Sequence, residues 1–285
     1  MISLKTERDI HAMRKAGLLT WAGHKLASEI IRAGMSTAEL DLEVERMFVA
    51  NGAVPLFKGV PGRVPYPATC CVSINEQIVH AIPSKERIIQ DGDIVSVDTG
   101  CKIEGWCGDA AETYMVGNVD PESKKLVETT RQTLKLAIKL LKTRKMWSDI
   151  AREMEKYVKK AGFSVVETFV GHGIGREMHE EPQVPNYVYR EFQRYGDFPI
   201  RPGVVIAIEP MVNAGTKKVH PEPDHWTMST ADGARSAHSE HTVGILKSGP
   251  FILTGEPTTG EEKAMADQFF EKYRAARDAG KMSLD

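Results

Sequence analysis

DGDIVSVDTG (residues 91–100) and RPGVVIAIEP (residues 201–210) are one unit written twice. In each, a glycine, Gly92 or Gly203, stands six residues before a carboxylate, Asp98 or Glu209, that ends a short apolar run. A glycine turn feeding such a run predicts a buried strand. The surroundings repeat as well. His80-Ala81-Ile82-Pro83 and His179-Glu180-Glu181-Pro182 both read His-x-x-Pro, each ahead of its carboxylate strand. A pair of helical patterns precedes each. Residues 5–33 place Ile10, Met13, Leu18, Trp21, Leu26 and Ile30 at helical spacing, with Gly34 as the stop. Ser36 and Glu39 form a capping-box pattern opening a helix through Val44, Met47 and Phe48 to Gly52. In the second copy, Asp120-Pro121 predicts a helix start, running to about Leu141, and another helix over about 148–161 stops at Gly162. The repeated order predicts two similar α+β halves, about 5–118 and 120–247, related by a pseudo-twofold. Two copies of this length exclude a solenoid.

Finer detail follows from local composition. Residues 53–68 hold four prolines and two glycines and predict a loop. Residues 69–75 predict a strand. GDAAETYMVG is the expected hairpin partner of DGDIVSVDTG across the loop CKIEGW. SVVETFV predicts a strand leading into a turn at GHGIG. Residues 248–285 fit neither half. They open with Gly, Pro and Thr, then predict a polar helix from about Glu261 to Ala279, and the expectation is a solvated or loosely docked tail. The domain prediction is one domain over 1–247 with that tail, 248–285, behind it.

Composition narrows the class. At 285 residues, 41% hydrophobic and 27% charged, the chain is ordinary for a globular protein. A net charge of −2 gives no global basic surface, so no specific nucleic-acid partner is expected. The first residues, MISLKTERDIHAMRK, are charged from Lys5 onward and lack the apolar stretch of a secretory signal. No uncharged apolar run approaches a membrane span, so no membrane partner is expected. Cys70, Cys71, Cys101 and Cys107 form no CxxC pair, which argues against a zinc ribbon. Reduced thiols and a cytoplasmic location are the expectation.

The residues with chemistry to offer are Asp98, Asp109, His172, Glu209 and Glu240. Asp109 lies eleven residues after Asp98, so a tight hairpin brings two carboxylates together. Such a pair repels unless it shares a proton or a cation. Glu209 follows Val204–Ile208, and Glu240 in HSEHTVGIL opens another apolar strand. Any one of these alone is more often a turn cap or an exposed strand end, because carboxylates rarely leave solvent unpaired. Placed at matching points of two halves, they suggest one shared site. Four carboxylates and an imidazole suit two hard or borderline divalent metals, and a metal pair can activate water for hydrolysis. His172 sits in GHGIG, which lacks the Lys-Ser/Thr of a phosphate loop and the spacing of the dinucleotide fingerprint. His80 and His179 head the two His-x-x-Pro segments. Singly, each reads as a turn histidine; as a symmetric pair they could donate hydrogen bonds to a substrate amide and an oxyanion.

In this order, SINEQIVHAIP, DGDIVSVDTG with GDAAETYMVG, GHGIGREMHEEPQVPNY, RPGVVIAIEPMVNAG and SAHSEHTVGIL resemble the type I methionine aminopeptidases, metallopeptidases of the pita-bread fold. The resemblance spans about residues 3–247. It implies an α+β fold of two pseudo-twofold halves, with antiparallel sheet and flanking helices. It also implies removal of N-terminal methionine from nascent proteins and peptides, with preference for a small second residue, using two divalent ions (Co, Mn, Fe, Zn or Ni). By that resemblance Asp98 would chelate one metal, His172 and Glu209 the other, and Asp109 and Glu240 would bridge. Glu209 would also shuttle the proton, His179 would stabilise the tetrahedral intermediate, and His80 would contact the amide of the second residue. Tyr66, Cys71, Phe169, Met178 and Trp226 would line the methionine pocket. A monomer with transient ribosome association is the expected state.

Only 31 positions separate Glu209 from Glu240, which leaves no room for the helical insertion of type II enzymes. The chain also departs from the usual pattern. Met178 stands where Phe is usual, Val170 where Cys is common, Arg63 where a pocket Tyr is frequent, and His238 where Gln is usual. His220 and His225, in an extended HPEPDHW segment, predict surface-loop residues. Two competing readings remain. A proline-directed aminopeptidase or prolidase would carry the same ligands but typically a large N-terminal domain, and about 95 residues precede Asp98 here. A non-catalytic binding protein of the same fold would have lost ligands, and none is lost here.

Overall fold

The computed structural model describes residues 2–280; Met1 and positions 281–285 of the expected tail lie outside the described residues. In the first half, helices α1 (Glu7–Ile30) and α2 (Thr37–Ala50) precede strands β1 (Val54–Pro55), β2 (Cys70–Ile74), β3 (Gln77–Val79), β4 (Ile94–Ile103) and β5 (Trp106–Met115). In the second, helices α3 (Pro121–Leu140) and α4 (Trp147–Lys160) precede β6 (Ser164–Val165), β7 (Gly171–Gly173), β8 (Glu180–Val184), β9 (Val205–Ile208) and β10 (Met211–Asn213). Strands β11 (Val219–Pro221), β12 (Met228–Thr230), β13 (Ser236–His238) and β14 (His241–Leu246) complete that half. Strand β15 (Gly249–Ile252) and helix α5 (Gly260–Asp278) follow.

The predicted caps are in place. Ser36 and Glu39 cap α2 reciprocally, and the Asp120 side chain accepts from Ser123 N with Pro121 at the first helical position of α3. Thr6 and Asp9 form a second capping box, at the start of α1. Helix α1 ends at Ile30, ahead of the expected stop at Gly34. Gly92 and Gly203 both take positive φ, +89° and +95°, so the duplicated turn is duplicated in backbone conformation too.

Every strand pairing is antiparallel. One edge of β4 is shared by β1 and β2, and its other edge pairs with β5 along its whole length. The second half builds the sheet β15-β14-β9-β7-β8. Helices α1 and α2 bury Leu19, Leu40, Val44 and Phe48 against Val72, Val95 and Val97. Helices α3 and α4 bury Leu134, Trp147, Ile150 and Met154 against Ile206, Ile208 and Val243. The arrangement is the α+β class expected, with helices covering antiparallel sheet.

The structure corrects three local expectations. The hairpin is tighter than the loop CKIEGW suggested: Cys101, Lys102 and Ile103 stay in β4, and the turn is Glu104-Gly105. The run SVVETFV contributes only two strand residues, Ser164 and Val165. GHGIG is not a turn at its start; Gly171–Gly173 is a strand between β8 and β9.

The segment after 247 is docked on the body. Strand β15 pairs with β14 over Val243↔Ile252 to Leu246↔Gly249. Helix α5 buries Ala266, Phe269 and Tyr273, and the last two join the core under α1 and α2. Arg14 on α1 reaches this segment with its whole guanidinium. It donates to Glu262 Oε1 at 2.7 Å and Oε2 at 3.1 Å, to Gly255 O at 2.9 Å and to Glu256 O at 2.8 Å. The arginine is buried, so losing its carboxylate partner would leave a desolvated charge. Hydrogen bonds from Arg14 hold the Glu262 carboxyl down to about 2, against an ordinary 4.5. Its stabilising contribution is therefore complete above about pH 4.5 and is lost as pH falls towards 2. Glu262→Gln should lower stability by about 1–3 kcal/mol at pH 7. Urea melts of both proteins at pH 7 and pH 3 check this: the gap should shrink at the lower pH, and a constant gap would count against the ion pair.

Candidate metal centre

The site forms where the two halves meet, and strand register explains its composition. Asp98 pairs with Ala111, and Asp109 pairs with Gly100. Residues 98 and 100 project to one face of β4, so Asp109, opposite 100, stands diagonally beside Asp98 on that face. Gly100 creates the space: a Cβ there would lie 2.8 Å from Asp109 Oδ1 and 2.8 Å from Gly108 O. The second half repeats the diagonal. His172 pairs with Ala207, and Glu209 follows two residues later. His241 pairs with Ile208, which puts Glu240 opposite Glu209 just beyond the ladder. Gly171 allows this close approach, because a Cβ there would meet Ala207 O at 2.3 Å.

Hydrogen bonds stitch the halves across this point. Glu240 N donates to Ala111 O at 2.8 Å. Thr242 Oγ1 accepts from Asp109 N at 3.0 Å and donates to Asp109 O at 2.8 Å. Thr113 Oγ1 donates to His238 O at 2.7 Å. Nothing local marks these two threonines in the sequence; each is one β-branched residue in a strand.

The carboxylates are underserved by the protein. Asp98 Oδ1, Asp109 Oδ1 and Glu240 Oε1 are buried without a hydrogen-bond partner among the described residues. Burial, then the neighbouring carboxylates, pushes Asp98, Glu209 and Glu240 well above the ordinary range, and burial raises Asp109 to about 7. Ligand atoms of Asp109, His172 and Glu240 lie within 4.8 Å of one another. His172 Nδ1 bonds Gly173 O at 2.9 Å, which leaves Nε2 as the free lone pair, 3.7 Å from Glu209 Oε1. Burial lowers its pKa to about 4, so the ring is neutral near pH 7. An orphaned oxygen cluster beside a neutral, oriented imidazole fits a divalent cation.

One cavity of about 600 Å³ contains all of it. Asp98, Asp109, His172, Glu209 and Glu240 line it together with His80 and His179. Tyr66, Cys71, Phe169, Met178 and Trp226 line it too, joined by Phe57, Val60, Val79 and Met211, which the sequence reading had not singled out. The aromatic rings interlock: Tyr66 meets Trp226 edge-on at 5.1 Å, and His80 meets Phe169 edge-on at 5.1 Å. Tyr66 is buried, its hydroxyl donating to Cys70 O at 2.9 Å and Ala81 O at 3.0 Å. Burial raises the Cys71 thiol well above its ordinary value, so it is a neutral apolar wall beside the carboxylates. His80 holds a left-handed φ of +62°, unusual for a non-glycine. His179 stands edge-on to His172 at 4.5 Å.

The departures sort themselves by position. Val170 and Met178 line the cavity; Arg63 is exposed and does not. His238 is buried with neither ring nitrogen hydrogen-bonded, its Nε2 3.7 Å from Glu209 Oε2. His220 and His225 are exposed, as expected, but His220 lies in strand β11 rather than in a loop.

Known proteins share this architecture. Metallopeptidase family M24 matches residues 11–247, and the chain belongs to that family. Within it, the chain falls among the methionine aminopeptidases. It is 43% identical over 255 residues to methionine aminopeptidase 1 of Bacillus subtilis, covering 89% of this chain and 99% of that one. Identity to the methionine aminopeptidase of Clostridium perfringens is 45%, with the same coverages. The crystal structure of methionine aminopeptidase from Thermotoga maritima superposes with a TM-score of 0.84 at 41% identity, covering 90% of this chain and all of that one. A prolidase from Pyrococcus horikoshii shares the fold at 23% identity and a TM-score of 0.70, with 64% of its length covered.

Gly100→Ala tests the geometry without touching a ligand. The added methyl must displace the Asp109 carboxylate or the β4–β5 backbone. Mn²⁺ titration calorimetry should show affinity lowered by at least about tenfold, and unchanged affinity would count against the packing described.

Proposed function

We propose that the protein removes the N-terminal methionine of nascent proteins and peptides by metal-dependent hydrolysis. One observation carries this reading: a buried carboxylate cluster and an apolar wall of Tyr66, Cys71, Phe169, Met178 and Trp226 line one cavity. The family implies divalent metal binding, and the donor set suits it. Asp98 would hold one ion, His172 and Glu209 a second, with Asp109 and Glu240 shared between them. Co, Mn, Fe, Zn and Ni all suit oxygen and imidazole donors. Such ions would supply a Lewis acid and a water of lowered pKa.

The chain's own residues do the rest. Tyr66, Cys71, Phe169, Met178 and Trp226 take the methionine side chain; a soft apolar wall suits an unbranched thioether. His80, braced by Phe169 and Trp226, donates to the amide of the second residue. His179 is neutral, because burial lowers its pKa, and donates to the developing oxyanion. Glu209 takes the proton from water and returns it to the leaving amine. As in the methionine aminopeptidases the chain resembles, small side chains are preferred at the second residue.

Four buried, unbridged cysteines suit a reducing compartment, and we place the enzyme in the cytoplasm as a monomer with transient ribosome association. No helix among the described residues is long and apolar enough to cross a membrane. Assays of Met-Ala-Ser, Leu-Ala-Ser and Ala-Pro-Ala with Mn²⁺, Co²⁺ or Fe²⁺ decide the matter. Cleavage of the first alone is expected. Cleavage of the proline peptide alone would convert the assignment to a proline-directed peptidase, and inertness with every metal would favour a binding protein. Glu209→Gln should lower kcat by about 10²–10⁴-fold.

A further inference from the structure

A second hollow adjoins the catalytic cavity. Glu181, Gln183, Tyr189, Glu191, Phe192 and Tyr195 line it, with Gly196. Glu181 and Gln183 also line the catalytic cavity, so the two spaces share a stretch of wall at strand β8. A polypeptide with its first residue in the pocket must carry its third and later residues out of the cavity, and this hollow adjoins the cavity's wall.

Its chemistry is distinctive. Strand β8 is the last strand of its sheet, with no strand beyond it among the described residues. The far wall is a π-helical turn, Phe192–Gly196, a rare conformation that recurs at functional sites. That turn presents Tyr195 at 78% exposure, the most exposed large hydrophobic side chain among the described residues. Tyr189 stacks on Tyr187 at 5.3 Å and meets the buried Phe192 at a tilt at 5.8 Å, so the shelf is packed from beneath. Glu181 and Glu191 are exposed carboxylates without a side-chain ion pair or hydrogen bond among the described residues, and no Lys or Arg lines the hollow. Arg190, between Tyr189 and Glu191 in the chain, and Arg194, which lies over the Tyr195 ring at 5.3 Å, are both outside the lining.

We propose that this hollow is a subsite for the third and fourth residues of the peptide substrate, favouring Lys or Arg over Asp or Glu. Glu181 and Glu191 attract the basic side chains, and the aromatic shelf of Tyr189 and Tyr195 takes their stems and cationic heads. The subsite rests on the peptidase reading above. It acts on binding, so it changes KM more than kcat.

The test compares Met-Ala-Lys-Lys-Ser with Met-Ala-Glu-Glu-Ser, using Met-Ala-Ser as the parent substrate of the wild-type holoenzyme. Exposed ion pairs and cation–π contacts of this kind lead to about three- to tenfold higher kcat/KM for the lysine peptide. Glu191→Gln and Tyr195→Ala, both at exposed positions, should each move that ratio towards one. Equal rates for the two pentapeptides in the wild type, or a ratio that neither variant changes, overturns the subsite. Failure to cleave Met-Ala-Ser at all would instead overturn the parent reading, so the two failures are distinguishable. A preference residing wholly in kcat would also overturn it.

Discussion

Mutual repulsion among Asp98, Asp109, Glu209 and Glu240 is the constraint on which the rest of the structure depends. Four carboxylates crowded into a desolvated site oppose folding unless protons or cations arrive. Three of their oxygens have no partner among the described residues. Such a cluster can only be held by backbone that has little freedom to relax. The fold meets this by placing each carboxylate in a strand or within one residue of a strand end, where register fixes its direction. The two strand sets are then locked together by Thr113 and Thr242, whose hydroxyls bridge main-chain atoms of opposite halves. A relaxation that separated the carboxylates would have to break those bonds first.

The duplicated architecture explains how five candidate ligands arise from so few rules. One diagonal across β4 and β5 gives Asp98 and Asp109; the corresponding diagonal across β7 and β9 gives His172 and Glu209. Glu240 completes the set by pairing geometry with Glu209. Close packing at each diagonal depends on a missing side chain, at Gly100 in one half and Gly171 in the other. The imidazole among four carboxylates also lowers the total negative charge the site must neutralise, since His172 is neutral at pH 7.

Much of this was legible in the sequence because it rests on local signals. Caps at Ser36 and Asp120 and the paired turns at Gly92 and Gly203 are short-range chemistry, and the structure has them. The twelve residues singled out as candidates all line one cavity, although their individual roles come from resemblance rather than geometry. What was not legible depends on distant partners. GHGIG reads as a turn because glycine is a turn residue; here the glycines serve close approach between three strands. The polar helix α5 carries few apolar positions, so its docking could not be read from periodicity. Its attachment depends on Arg14, more than two hundred positions away, and on the sheet edge that β15 occupies. Arg63, placed by the resemblance where a pocket tyrosine is frequent, is exposed and outside the lining, next to Val64, whose carbonyl accepts from Trp226 Nε1.

The two sides of the cavity are therefore built on different principles. The metal side is determined by backbone register and cross-strand pairing, and a changed residue there alters charge or direction at once. The pocket side is determined by side-chain packing among Tyr66, Phe169, Met178 and Trp226, where volume can be exchanged between neighbours. That difference locates the chain's departures. Val170 and Met178 fall on the packed wall, and His238 lies behind Glu209, while all five candidate ligands keep their types. His238 is the informative case. Burial lowers its pKa to about 3, so it adds no positive charge beside Glu209. A neutral ring can fill the space behind the carboxylate without competing with a cation for it. Variation is thus tolerated where it leaves the charge balance of the cluster unchanged.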